Sequence, residues 1–470
     1  MILINHITWC RVDPVMASSH LLYRLAEFVS ETRFDLDTEI TAIIRDSVID
    51  TLGCCLVGIG EEVTQMSSAA IEPIAGDGAT VFGSSMRASA ESAAFLNTVS
   101  GHALELDDWE APGNTHSSVV IVPALLAAGA GDSLSGRRFC EAYIAGFEVI
   151  ARLGEACNFE HYARGWHTTG TLAAIGAAAA VSRLWGLDAV KTAHAMSLAV
   201  SRTGGLTRQF GSHAKPLQAG FAAETGVRVA RLARAGITGQ PHVLEGDQGY
   251  FALTGHTDAQ RQQAPFEKLG ETLALIEYGQ IIKAYPSCGY THRIIDCARD
   301  FFSRGLDLEK VRSIRIEVPD FHAAILPFAL PANRREALFS LPYCAAMGLT
   351  SGNLALEDLD RESWNDQPVQ SLISRCRVEP FVPRRPEMNY DPDQPDRLTL
   401  ETSDGEKIET MVRYPRGAPQ NRLSLDEIMC KFRYHATRYH NPDESAIDAL
   451  ADWPQLEDVH PLFNQFGVEK

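Results

Sequence analysis

The segment from residue 171 to 181 is apolar around its whole circumference. It reads Thr-Leu-Ala-Ala-Ile-Gly-Ala-Ala-Ala-Ala-Val. A helix of such residues has no polar face to present to water and is therefore buried. Its small side chains also let neighbouring helices approach closely. The segment predicts a large helical bundle with a helix buried at its centre or in a subunit interface.

Helical periodicity extends from this segment in both directions, up to about residue 275. Asp37 is a predicted N-cap, after which apolar residues recur every four positions from Ile40 to Leu56. Ser135 is predicted to cap another helix. Ser424 and Glu427 form a capping box, which predicts that helix returns near the C-terminus.

Alternating residues indicate strands between these helical parts. Ile314, Ile316 and Val318 alternate with charged residues, and the segments 397–402 and 406–413 flank the turn Asp404-Gly405. That turn between alternating segments predicts a hairpin. We therefore expect a mainly α protein in which a large, discontinuous all-helical domain, residues 17–275 and 423–470, carries a smaller α+β lid domain, residues 276–422.

Charge and cysteine usage limit the partners. Asp and Glu outnumber Lys and Arg by 60 to 42 among 470 residues, so the formal net charge is −18. Such a surface disfavours nucleic acid and anionic membranes as partners. The ten cysteines form no C-x-x-C pair, and no signal peptide or membrane span is evident. These features predict free thiols and a cytoplasmic location.

The common nucleotide-binding and hydrolase motifs are absent: the chain has no G-x-G-x-x-G, Walker, G-x-S-x-G or H-E-x-x-H sequence. Instead, basic side chains stand at the starts of three apolar helices, at His116, His167 and Lys215. A cation gains nothing from the positive end of a helix dipole. Three such cases together indicate an external anion, such as a carboxylate substrate.

Two further segments contain candidate site residues. An acidic stretch contributes Glu105, Asp107 and Asp108 just before His116, and the segment 283–292 lies at the predicted seam between the domains, where small ligands commonly bind. His102 with Glu105 or Asp108 offers too few ligands for a metal, so we expect no metal site there. Tyr343 begins another apolar helix and, taken alone, is a core tyrosine.

Together and in order, these segments resemble the MmgE/PrpD family, which contains 2-methylcitrate dehydratases, cis-aconitate decarboxylases and an iminodisuccinate epimerase. The matching stretches are 102–116, 165–188, 211–239, 283–296 and 337–346. The resemblance implies a large helical domain with a smaller lid, a homodimer, a small polycarboxylate substrate and no cofactor.

The resemblance also implies residue roles. The residues expected to be catalytic are His116, His167, Lys215 and Tyr343. Those expected to bind the substrate are Glu105, Asp107, Asp108, Lys283, Cys288 and His292. His167 or Lys215 would transfer the proton on carbon, His116 would protonate a leaving hydroxyl, and Lys283, Tyr343 and His292 would orient carboxylates.

Cys288 stands where the decarboxylase branch is expected to have a histidine. We therefore expect a 2-methylcitrate dehydratase-like hydro-lyase, with a cis-aconitate-type decarboxylase or an iminodisuccinate-type epimerase as the alternative. A metal-dependent hydro-lyase remains open from the residues alone. A non-enzymatic helical dimer also remains open, although it would leave His116, His167 and Lys215 without a purpose.

Overall fold

The computed structural model describes residues 20–157, 160–256, 258–386 and 388–468. The ends of the expected helical domain, 17–19 and 469–470, lie outside these residues. The first part of the chain is helical apart from one short β-hairpin, β1–β2, which the periodicity did not predict. Its elements are α1 Leu21–Glu31, α2 Thr38–Gly58, α3 Glu62–Ala69, β1 Ala79–Thr80, β2 Arg87–Ala88, α4 Ala90–His102, α5 Ser118–Ala128, α6 Gly136–Cys157, α7 Glu160–Ala163, α8 Thr168–Leu184, α9 Ala189–Val200, α10 Ala214–Arg234, α11 Tyr250–Leu253, α12 Ala259–Glu267 and α13 Ala274–Glu277.

The later part combines short helices with a sheet and then returns to helix. Its elements are α14 His292–Ser303, β3 Val311–Pro319, α15 Asp320–Ile325, α16 Arg334–Ala337, α17 Leu341–Ser351, α18 Leu356–Asp360, α19 Gln367–Arg375, β4 Cys376–Phe381, β5 Asp396–Thr402, β6 Lys407–Val412, α20 Leu425–Ala436, α21 Glu444–Ala449 and α22 His460–Phe463. The expected caps are present: Asp37 accepts from the Ile40 amide, and Ser424 with Glu427 forms the capping box.

Helix α8 lies at the centre of the helical part, and all of its residues except Arg183 are buried. It packs closely against α6 and α10 because glycine and alanine occupy the contacts. A Cβ added at Gly176 would lie 2.2 Å from Ile150 Cγ1, and one at Gly226 would lie 2.4 Å from the Ala177 Cβ. The buried central helix and the close approach of its neighbours are therefore confirmed.

The sheet has four strands in the order β4-β3-β5-β6. β3 pairs in parallel with β4 and antiparallel with β5, and β5 and β6 form the expected hairpin around Asp404-Gly405. Strand β4 was not predicted, because its sequence Cys-Arg-Val-Glu-Pro-Phe alternates over only four residues before a proline interrupts it. The mainly α fold with a smaller α+β part is confirmed.

The apolar core consists of two clusters. One combines helices α1–α6 and α8–α13 with buried residues of the C-terminal helices, including Phe432 and Trp453. The other combines α14, α17 and the inner faces of β3 and β5 with residues near Trp109. This arrangement is compatible with a discontinuous helical domain, whose exact boundaries remain a prediction. Among the described residues, no helix is both long and apolar enough to cross a bilayer.

Candidate active site

Three helix starts converge on one buried cavity of about 30 Å³. His116 lies two residues before α5, His167 is the N-cap residue of α8, and Lys215 lies in the first turn of α10. All three side chains line the cavity, and Glu105, Lys283 and Cys288 line it with them. Six of the ten residues selected from the sequence are thus brought to one place.

Glu105 carries the negative charge between the two lysines. Its Oε1 pairs with Lys215 Nζ, and its Oε2 lies 3.4 Å from Lys283 Nζ. Burial raises the pKa of the Glu105 carboxyl, but the two ammonium groups outweigh burial and hold that pKa below its ordinary value. The backbone of Glu105 has a φ of 54°, a left-handed conformation that is costly for a residue other than glycine. The carboxylate therefore positions the two lysines.

Asp107 supports two histidines with a single oxygen. Its Oδ2 lies 2.8 Å from His102 Nδ1 and 2.9 Å from His116 Nδ1. Burial raises the Asp107 pKa, yet the contacts from both imidazoles hold it well below its ordinary value. Burial, in turn, lowers the pKa of His116 to about 4, even though Asp107 acts to raise it. His116 is therefore neutral near pH 7, with Nδ1 facing a carboxylate and Nε2 left for a substrate.

His167 has a different environment. Its Nδ1 lies 2.7 Å from Gln218 Oε1, and its Nε2 has no hydrogen-bond partner. Burial lowers its pKa well below the ordinary value, and the nearby Lys215 charge lowers it further. The neutral ring donates from Nδ1 to the amide oxygen, so Nε2 holds a free lone pair. His167 is therefore placed to act as a base, with an amide instead of a carboxylate as the partner of its Nδ1.

A tight loop between Glu110 and Thr115 carries the chain to His116. The Glu110 carboxylate accepts hydrogen bonds from the Gly113 and Thr115 amides. Burial raises the pKa of Glu110 to about 7. Gly113 packs against Gly154, where an added Cβ would lie 3.2 Å from the Gly154 Cα. The loop geometry therefore fixes the position of His116.

Several cavity residues escaped the sequence analysis. Those that line it are Trp109, Asn114, Tyr162, Phe210, Tyr290 and Phe339. The Asn114 side-chain amide is buried and has no hydrogen-bond partner for either polar atom, and its φ of 55° lies in the left-handed region. The turn-forming Pro-Gly-Asn sequence was the available signal. The only sequence signal for Gln218 as a site residue was its position, one helical turn after Lys215.

The structure does not bring Tyr343, His292 or Asp108 to this cavity. The Tyr343 hydroxyl lies 2.8 Å from Ser363 Oγ. His292 Nε2 lies 3.3 Å from the Ser287 carbonyl. Asp108 accepts from Ser118 in a buried network with Tyr143, and burial raises its pKa well above the ordinary value. Asp107 acts on the cavity through its histidines, as a positioning residue.

Two properties limit what the cavity can do as it stands. At about 30 Å³ it has room for about one water molecule, so a carboxylate substrate could enter only if the surrounding residues move. His102, Asp107 and His116 also form one of two groups of potential metal ligands within the described ranges. The shared Asp107 oxygen accepts from His102 Nδ1 and lies 2.9 Å from His116 Nδ1, and a ring nitrogen that carries a proton must lose it to bind a metal.

Two protein-family models together match most of the chain. The MmgE/PrpD N-terminal domain model matches residues 23–263, and the C-terminal domain model matches residues 285–455. A cis-aconitate decarboxylase-like protein of Aspergillus oryzae is 28% identical, with 87% of this chain and 89% of that protein covered.

Animal relatives align over a similar length. The cis-aconitate decarboxylase of Mus musculus is 27% identical, with 89% of this chain and 88% of the relative covered. That of Homo sapiens is 26% identical, with 88% of each covered. Because a family model matches more than half of the chain, the resemblance inferred from the motifs is confirmed. The chain belongs to the MmgE/PrpD family.

Proposed function

We propose that the protein is a decarboxylase acting on cis-aconitate or a closely similar tricarboxylate. The observation that carries the proposal is the pair of buried lysines, Lys215 and Lys283, which line one cavity together with His116. Asp107 lies outside the cavity lining, 2.9 Å from His116 Nδ1. The relatives named above support a decarboxylase better than the 2-methylcitrate dehydratase that we favoured because of Cys288. The Cys288 thiol lines the cavity, and burial raises its pKa, so it contributes no charge.

Charge balance supports an anionic substrate. The positive charges of Lys215 and Lys283 are balanced by Glu105 and Asp107, while His116 and His167 are neutral. A bound tricarboxylate would add negative charge to a buried, poorly screened space. The two lysines can each bind a substrate carboxylate, and the added negative charge raises the pKa of a nearby histidine.

The chemistry requires one proton donor. In cis-aconitate the CH₂-carboxylate is attached to an alkene carbon. When its C–C bond breaks, CO₂ leaves, the electron pair forms a new double bond, and the original double bond takes a proton at its far carbon. His116 is the best donor: it is neutral in the free protein, but the negative charge of the bound substrate raises its pKa, so that Nε2 takes a proton from solvent and delivers it to the substrate. The Asp107 carboxylate stabilises the imidazolium that forms. Lys215 and Lys283 stabilise the charge on the remaining carboxylates.

One observation favours a second candidate, dehydration of a hydroxytricarboxylate. His167 has a free Nε2 lone pair, and a base is required to remove a proton from carbon in a dehydration but not in the decarboxylation above. In that reaction His167 would take the proton, and His116 would protonate the leaving hydroxyl.

The test is to incubate the protein separately with cis-aconitate, citrate, 2-methylcitrate and malate, and to measure CO₂ and the products by NMR. The proposal expects CO₂ in equimolar amount to the cis-aconitate consumed. Water elimination from a hydroxy acid, without CO₂ from cis-aconitate, would contradict it. Lys283→Ala should raise KM at least about tenfold, whereas Lys310→Ala, at a 63% exposed side chain on the surface, should not.

His167→Gln separates the two candidates. Under the decarboxylase proposal it should preserve most of the CO₂ release, because no base is needed. Under the dehydratase alternative it should lower kcat for dehydration by about 10² or more.

We further propose that the protein is a homodimer. Helix α10 exposes Phe221 and Leu232, which lie on one helical face because they are eleven residues apart. Phe221 is 51% exposed although it stacks on Phe95. Light scattering should give twice the chain mass of 51.4 kDa. The monomer mass at micromolar concentration would contradict the proposal.

A further inference from the structure

A second cluster of chemically active side chains lies outside the candidate active site. Cys157 ends α6, His161 lies in α7, and His256 follows α11. All three are buried, and each offers one ligand atom within 4.8 Å of the other two. Neither the acid-base chemistry above nor the cavity uses them.

The hydrogen bonds of His161 determine which of its nitrogens is free. Its Nε2 lies 2.9 Å from Thr171 Oγ1 and 3.4 Å from the Tyr250 hydroxyl. The Thr171 hydroxyl, the nearer of the two, donates to the His167 carbonyl at 3.3 Å, so its oxygen is left to accept from the imidazole N–H. The proton of His161 is thus on Nε2, and the buried Nδ1, which has no hydrogen-bond partner, carries the lone pair.

His256, like His161, has one ring nitrogen in contact with a neighbouring side chain, here a carboxylate, and the other nitrogen free. Its Nδ1 lies 3.4 Å from Glu160 Oε2, and its Nε2 is buried without a hydrogen-bond partner. A carboxylate that accepts from one ring nitrogen leaves the other nitrogen as a lone-pair donor. This carboxylate–histidine arrangement commonly orients metal-binding histidines.

From these contacts we propose that Cys157, His161 and His256 bind a zinc ion through Cys157 Sγ, His161 Nδ1 and His256 Nε2. One thiolate and two neutral imidazoles suit Zn²⁺, and water would complete a tetrahedral site. Binding releases the thiol proton of Cys157 to solvent, and Zn–ligand bonds of about 2.0–2.3 Å require the three side chains to draw together.

The site would join two separate parts of the chain, residues 157–161 and His256, next to the candidate active site. His161 stacks on Trp166, with ring centroids 5.7 Å apart, and Trp166 precedes His167. Tyr162, the residue after His161, lines the active-site cavity. The ion would therefore stabilise one wall of that cavity without touching the substrate.

Titration of the metal-free full-length protein with Co²⁺ tests the proposal, because cobalt replaces zinc and reports a sulfur ligand by a thiolate-to-cobalt charge-transfer band. We expect one Co²⁺ per chain with this band, its displacement by Zn²⁺, and a higher Tm with Zn²⁺ but not with Mg²⁺. Absence of the band at saturating Co²⁺ would overturn the proposal, as would cobalt bound without it.

Variants locate the ion. Cys157→Ser should abolish the band, and His256→Gln should weaken Co²⁺ binding at least about tenfold. Cys140→Ser, at another buried cysteine of α6, and His116→Gln, which removes a ligand from the other potential group, should both retain the band. An unchanged band in His256→Gln, or a band lost in His116→Gln, would overturn the assignment even if Cys157→Ser fails to fold.

Discussion

The Nδ1 atom of His167 lies 2.7 Å from Oε1 of Gln218, on the first turns of α10. An amide oxygen accepts only, so this contact places the His167 proton on Nδ1 and leaves Nε2 as an acceptor. The amide adds no charge that could raise the pKa of the ring. His116 differs, because its Nδ1 lies beside the Asp107 carboxylate, which acts to raise the pKa of the ring. The cavity thus contains one histidine, His167, with a free lone pair on Nε2, and another, His116, that a carboxylate can stabilise once it has been protonated.

Gln218→Glu should raise the pKa of His167 by at least about one unit, because a buried carboxylate next to Nδ1 stabilises the imidazolium. NMR titration of the imidazole signals measures the change. Gln209→Glu, at an exposed position of the nearby turn, is the control and should leave that pKa unchanged. An unaltered His167 titration in Gln218→Glu would show that the contact is not made in solution.

Lys215→Ala should lower kcat by about 10² or more, because it removes the buried cation that we propose binds a substrate carboxylate. It should also leave Glu105 facing only Lys283. Steady-state kinetics with matched circular dichroism measures the effect. Lys191→Ala removes a 46% exposed lysine that pairs with Asp188 and should keep normal turnover. Near-normal kcat in Lys215→Ala would remove Lys215 from the chemistry.

Gly113→Ala should destabilise the fold by about 1–3 kcal/mol and lower activity. Its Cβ would lie 2.7 Å from Glu110 Oε1 and 2.7 Å from Thr115 Oγ1, so the loop that carries His116 must shift. Urea unfolding and kinetics together measure the change. Gly204→Ala is the control because its Cβ meets nothing within 4 Å. Equal stability of the two variants would contradict this account of the loop.

His292 allows a test of pH-linked stability. Burial lowers its pKa to about 3 from an ordinary value of 6.5, so between these values the unfolded chain binds a proton that the folded protein does not. The stability contributed by this group therefore falls as the pH decreases below 6.5.

His292→Gln removes the group whose pKa differs between the folded and unfolded states. The difference in unfolding free energy between wild type and the variant should shrink by about 3 kcal/mol between pH 7.5 and pH 4. Urea unfolding at several pH values measures it, and comparison with the same protein pair cancels the other titrating groups. A constant difference would mean that His292 is protonated in the folded state.

Local sequence patterns were sufficient for much of the fold. The caps at Asp37 and Ser424, the hairpin at Asp404-Gly405 and the buried helix near Ala177 all depend on short-range chemistry and were predicted. Strand β4 was missed because its position depends on parallel pairing with β3, a contact between residues about sixty positions apart.

The candidate site was predictable where a residue type marked a helix start, as for His167 and Lys215. It was not predictable where a role depends on three-dimensional packing. Tyr343 matches the family motif, yet its hydroxyl is directed to Ser363. Asn114 lines the cavity only because its loop takes a left-handed conformation.

The central claim is that this cavity releases CO₂ from cis-aconitate with a proton supplied by His116. The most direct measurement is the reaction in D₂O, followed by NMR, for the wild type and for His116→Gln. The account predicts CO₂ release with one deuterium on the former alkene carbon of the product, and a kcat lowered by about 10² or more in His116→Gln. No CO₂ from the wild type, or near-full turnover in His116→Gln, would contradict it.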